Sequence, residues 1–103
     1  MNKSVMISIL KNKNARVAIL GLGYVGLPLA VVFAEAGFKV TGIDPDAGKV
    51  DSLNGGVSYI PDVKSESVAA LVKSGHFTAM TDFSALKEMD AVSICVPTPL
   101  RQT

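Results

Sequence analysis

The sequence predicts an α/β chain built on a doubly wound parallel sheet of about four strands, incomplete at that count, and three features of its 103 residues lead there. Short runs that are apolar on both faces alternate with helical stretches, a glycine-rich turn joins the first run to the first helix, and the fourth run ends between prolines. Parallel neighbours need a crossover connection, so this alternation implies helices packed on a parallel sheet. Hydrophobic residues make up 49% and charged residues 18%, with Gly 9 and Pro 5. That is enough apolar surface to offset the entropy of ordering one compact domain, which excludes a disordered or collagen-like chain.

Val17 to Leu20 is wholly apolar, the pattern of a strand buried on both faces, and it ends at Gly21. A helix is expected from about Val25 to Ala36, with Gly37 as its stop. Pro28 places the start near Val25, because only the first helical amides lack an intrahelical acceptor. Lys39 to Ile43 reads as the second strand, after which Asp44-Pro45 opens a helix to about Leu53 that Gly55-Gly56 ends. Ser58 to Asp62 is expected to be loop. Ser65 caps a helix through Ser74, with Gly75 as terminator. Phe77 to Thr81 is the third strand, a short helix follows from Thr81-Asp82 over Ala85-Leu86, and Ala91 to Val96 is the fourth strand.

Residues 1–14 form a basic leader, since Lys3, Lys11, Lys13 and Arg16 all precede the first acid, Glu35; it is read as solvated and helical rather than as a binding arm. Ten Lys plus Arg against nine Asp plus Glu leave a net charge of +1, too little for a protein that lives on phosphate-backbone contacts, so nucleic acid is not an expected partner. No apolar run reaches the roughly 20 residues of a membrane helix, and no cleavage site follows Val5 to Leu10, so neither membrane span nor signal peptide is expected. The one cysteine, Cys95, cannot form an internal disulfide, which fits a reducing compartment. Inside an apolar strand it is expected to be an inert small hydrophobe. His76, without a partner at ligand spacing, reads as a surface residue, and neither a metal site nor a catalytic constellation is visible.

The chemistry is carried by Gly21-Leu22-Gly23-Tyr24-Val25-Gly26, a G-x-G-x-x-G between a strand and a helix start. The first glycine permits the tight turn, the second lets backbone approach a pyrophosphate, and the third lets helix and strand pack closely, with the helix amides facing the anion. This is the dinucleotide-binding turn of a Rossmann-like fold. Asp44 lies at the end of the second strand, the roughly 20 residues beyond the motif at which a carboxylate accepts hydrogen bonds from adenosine ribose hydroxyls and repels a 2′-phosphate. NAD is therefore expected in preference to NADP, with Asp44 also available as cap of the next helix. Val96-Pro97-Thr98-Pro99 follows a strand expected beside the first, at the switch point where the cofactor crosses. A complete sheet of this type has about six strands, so residues 15–103 read as the N-terminal part of a longer protein's NAD-binding domain.

Three segments taken together, Val17 to Ala30, Gly42-Ile43-Asp44 and Ile94 to Leu100, resemble the UDP-glucose/GDP-mannose dehydrogenase family over residues 15–103. Within it the G-L-G-Y-V-G-L-P-L-A run and the Gly56 to Pro61 loop are most similar to bacterial UDP-N-acetylglucosamine 6-dehydrogenases. The resemblance implies a cytoplasmic enzyme that oxidises the C6 alcohol of a UDP-sugar to a carboxylate with two NAD+, for polysaccharide biosynthesis. It implies that Gly21, Leu22, Gly23, Tyr24, Val25 and Gly26 hold the pyrophosphate, Asp44 and Lys49 the ribose region, and Val96, Pro97 and Thr98 a further part of the cofactor. It also implies that the catalytic cysteine and the sugar-binding domains lie beyond Thr103, so the 103 residues alone are expected to be inactive.

Two other readings stay open at this point: a stand-alone NAD-binding module that senses rather than catalyses, and a dehydrogenase of another substrate class on the same cofactor fold. Flavin is less favoured than NAD, although the glycine turn alone does not separate them. A sheet that ends at its fourth strand leaves an unpaired edge, from which self-association through Ala91 to Val96, and a homo-oligomer, are expected.

Overall fold

The computed structural model describes residues 15–95. They form β1 (Arg16–Leu20), α1 (Gly26–Glu35), β2 (Lys39–Ile43), α2 (Ala47–Asn54), α3 (Ser65–Ser74), β3 (Phe77–Met80), a 3-10 helix (Phe83–Glu88) and β4 (Ala91–Ile94). The leader and Val96, Pro97 and Thr98 lie outside the described residues.

All strand pairs are parallel, in the order β3-β2-β1-β4. The chain steps outward from β1 to β3 and then returns to the other side of β1, so the direction of winding reverses between β1 and β4. Register aligns Val17 with Val40 and Ala91, and Val40 with Phe77. Alternation along each strand then puts Val17, Ile19, Val40, Phe77, Ala79 and Ala91 on one face. That face is covered by one helical layer, in which α3 touches both α1 and α2. Leu27, Ala30 and Ala34 of α1, Val50 and Leu53 of α2 and Val68 of α3 complete the core.

The buried stripe of α1 is Gly26, Leu27, Ala30 and Ala34. Small side chains four residues apart let the helix lie close to β1 and β2. Pro28 occupies the third helical position, where its missing N–H costs nothing. Gly75 closes α3 at φ 83°, a left-handed conformation that L side chains adopt only with strain.

Several boundaries differ from expectation. The helix after β2 is capped by Asp46, whose side chain accepts from Gly48 and Lys49 N–H, and not by Asp44. Lys64, not Ser65, is the cap residue of α3, while Ser65 Oγ accepts from Ser58 N–H at 2.9 Å and ties the preceding loop to the helix. The short helix after β3 is a 3-10 turn capped by Asp82, and hydrogen bonding from Ser84, first through its backbone amide and then through its side chain, holds the Asp82 carboxyl below the usual carboxylate range. β4 ends at Ile94, which leaves Cys95 half-buried just beyond the strand instead of inside it. His76 is likewise half-buried, with Nδ1 2.8 Å from Ser74 Oγ.

Candidate functional site

Three strands end side by side, and the residue following each enters the same cleft: Gly21 after β1, Asp44 after β2 and Cys95 after β4. Hydrogen bonds carry the ladder one step past the strands, from Gly21 N–H to Ile43 O at 2.8 Å, Asp44 N–H to Met80 O at 3.1 Å and Cys95 N–H to Leu20 O at 2.7 Å. The cleft has a volume of about 930 Å³ and is also lined by Leu22, Gly23, Tyr24, Val25, Pro45, Lys49, Tyr59 and Ile60. It opens at the carboxyl ends of the strands and at the reversal of winding, where open α/β sheets bind their ligands.

The glycine turn is shaped by two different constraints. Gly21 has φ 94°, and a Cβ on Gly26 would stand 1.6 Å from Gly21 O and 3.3 Å from Cys95 Cβ, so α1 can start this close to β1 only without a side chain there. Gly23 has neither a left-handed φ nor any atom within 4 Å of a Cβ built on it. Nothing among the described residues requires a glycine at 23, which lines the cleft. The N–H groups of Gly23, Tyr24 and Val25 have no acceptor among the described residues, and α1 begins without a side-chain cap. Free amides beside a space kept clear of side chains fit a pyrophosphate group.

Asp44 is the one buried charged side chain among the described residues, 7% exposed. Oδ2 accepts from Leu22 N–H and Oδ1 from Asp46 N–H, both at 2.9 Å. A carboxylate oxygen has two acceptor sites, so each keeps one for a ligand hydroxyl. Lys49, on the first turns of α2, stands with Nζ 5.9 Å from the Tyr59 ring centroid. The Tyr59 hydroxyl donates to Leu22 O at 2.6 Å, and burial, followed by the charges of Asp44 and Asp46, pushes its pKa up to about 12.

The structure therefore brings together Gly21, Leu22, Gly23, Tyr24, Val25, Asp44 and Lys49 on one cleft, with Gly26 behind the turn. Pro45, Tyr59, Ile60 and Cys95 join them without having been expected. Tyr59 carried a faint signal in its residue type, an apolar ring with a polar tip that seeks a partner when buried. Its partner, 37 residues away, follows no local spacing.

Residues 15–103 match the NAD-binding domain of the UDP-glucose/GDP-mannose dehydrogenase family. The chain belongs to that family. The domain so matched is the one that binds NAD. Among its relatives, the UDP-N-acetyl-D-mannosamine dehydrogenase of Escherichia coli (strain K12) is 39% identical over 89 residues, 84% of this chain and 20% of that protein. The enzyme of the same name from Pyrococcus horikoshii is 36% identical over 87 residues, 82% of this chain and 21% of that protein. A GDP-mannose dehydrogenase from Pseudomonas aeruginosa, solved as a ternary complex, superposes with a TM-score of 0.77 at 34% identity, covering 84% of this chain and 20% of that one. The chain thus spans about one fifth of the length of these relatives. No helix among the described residues is long and apolar enough to cross a membrane.

Proposed function

We propose that this chain supplies the NAD-binding half-site of a nucleotide-sugar dehydrogenase, one that oxidises the C6 alcohol of a UDP-N-acetylhexosamine to a carboxylate and reduces two NAD+. The observation that carries the reading is the clear space at Gly23 beside three free amides, at the cleft bounded by three strand ends. Asp44 is the ribose ligand in this scheme, and with Asp46 nearby it disfavours a 2′-phosphate, hence NAD over NADP. Lys49 flanks the ribose, and the Gly21–Gly26 turn holds the pyrophosphate. Bound there, NAD+ supplies the acceptor for the hydride leaving the sugar C6. The described residues orient and shield the cofactor in this scheme.

The sugar follows from two supports that differ in detail: the motif resemblance points to N-acetylglucosamine, whereas the relatives from Escherichia coli and Pyrococcus horikoshii carry N-acetylmannosamine in their names. The N-acetylhexosamine is common to both. Catalysis by residues outside this chain, and action in the cytoplasm, belong to the same proposal, as does the role of Val96, Pro97 and Thr98 at the cofactor.

Calorimetric titration of the 103-residue chain with NAD+ and then NADP+ tests the half-site. Saturable NAD+ binding, with NADP+ weaker by about tenfold or more, is expected from the carboxylate at 44; equal affinities would remove Asp44 from its role. Incubation with NAD+ and UDP-N-acetylglucosamine or UDP-N-acetylmannosamine is expected to form no NADH, and turnover by the pure chain would overturn the division of labour.

A further inference from the structure

Leu22 is the residue of the glycine turn that the rest of the molecule grips from every side. Its side chain is fully buried and lies over the bare Cα of Gly42, where an added Cβ would come within 2.6 Å of Leu22 Cδ2. Its N–H donates to Asp44 Oδ2 at 2.9 Å, and its carbonyl accepts from the Tyr59 hydroxyl at 2.6 Å. The second bond is short for O–H···O and reaches across 37 residues, from the segment between α2 and α3. That segment is itself fastened, by Ser58 N–H to Ser65 Oγ and by the burial of Ile60 and Val63.

A trans peptide is planar, so the carbonyl of Leu22 and the N–H of Gly23 belong to one rigid plate and point in opposite directions. Holding the oxygen therefore sets the direction of the Gly23 N–H and the path of the chain into Tyr24 and Val25. We propose that Tyr59 is a positioning residue for pyrophosphate binding, acting through the Leu22 carbonyl to hold the amides of the glycine turn in the orientation that receives the anion. Without the phenol, the Leu22–Gly23 plate is free to rotate and present a carbonyl dipole to the phosphate instead of an amide. The phenol remains a donor at all physiological pH values, because burial and the Asp44 and Asp46 carboxylates disfavour its ionisation. The inference rests on the assignment of the cleft to NAD.

Tyr59→Phe keeps the ring, and with it the Lys49 contact, and removes the one hydroxyl. Affinities of the wild-type chain and the variant are to be compared for NAD+, for ADP-ribose, which retains the pyrophosphate, and for adenosine, which lacks it. The variant is expected to lose about fivefold to tenfold for NAD+ and ADP-ribose, the worth of one oriented hydrogen bond, with adenosine unchanged. Equal affinities for all three, or an equal loss that includes adenosine, would overturn the proposal, since a general loosening of the fold would weaken adenosine too. Should Tyr59→Phe be too unstable to assay, 4-aminophenylalanine at 59 restores a donor at the same place. It is expected to bind NAD+ within about twofold of wild type, and a loss of about tenfold there would also overturn the idea. Absence of NAD+ and ADP-ribose binding to the wild-type chain is a different result: it fails the NAD assignment itself, and this inference with it.

Discussion

A methyl group added at Gly23 enters open space, whereas one added at Gly26 drives into the Gly21 carbonyl. The two glycines of one motif thus stand in different surroundings: Gly26 is required for the packing of α1 on β1, whereas Gly23 is left for the ligand in the function proposed above. Gly23→Ala is expected to change stability by no more than about 0.5 kcal/mol, as surface substitutions do, while NAD+ affinity in calorimetry falls by about tenfold or more, because the methyl takes the space of the phosphate. Gly26→Ala is expected to lose about 3 kcal/mol or more in urea denaturation, through overpacking against backbone that cannot yield. A large stability loss at 23, or a small one at 26, would reverse these assignments. The spacing of the motif in the sequence identified the glycines and the packing role of the third, and the structure supplies the atoms that lie opposite each. Tyr59 was beyond reach for the same reason: its importance comes from Leu22 O, and no periodicity links the two.

Element boundaries were legible wherever the signal was local. Apolar runs marked all four strands, Gly75 marked the end of α3, and Pro28 marked the start of α1. The helix after β2 was displaced because two acids two residues apart both suit a cap, and only the fold distinguishes them. Asp44 is drawn inward to serve Leu22 and Asp46, and Asp46 is left to cap. Asp44→Ala therefore leaves two amides without their acceptor, so it perturbs the turn as well as any ribose contact. Asn54, the last residue of α2, does a task no pattern announced. Its side-chain amide donates to Ala79 O at 2.8 Å and accepts from Ala79 N–H at 3.0 Å, pairing the outer side of β3 as another strand would. Asn54→Ala is expected to cost about 1–3 kcal/mol in urea denaturation, because the half-buried backbone groups of Ala79 lose both partners. NAD+ affinity should stay at the wild-type value, since Asn54 does not line the cleft.

At the scale of the whole molecule, the helical layer covers one face of the sheet, and among the described residues β4 forms an edge next to β1. Val92 and Ile94 project from β4 opposite to Ala91, and Ile94 is 70% exposed. An edge strand with unpaired backbone groups and bare apolar side chains is a template for association. Sedimentation of the isolated 103-residue chain is expected to show concentration-dependent association, which Ile94→Lys should abolish; a monomer at high concentration would contradict this. The sequence by itself determined the class of fold, the order of the elements and the glycine turn, because each is a pattern of near neighbours: apolar runs, helix stops and a fixed spacing of glycines. Tertiary structure alone decided that Cys95 joins Gly21 and Asp44 at one cleft, that Asp44 is a buried acceptor and not a cap, and that Tyr59 grips Leu22. The physical reason is that these relations join residues distant in the chain. Strand register and the reversal at β1 create them, and neither is written in any local stretch of residues.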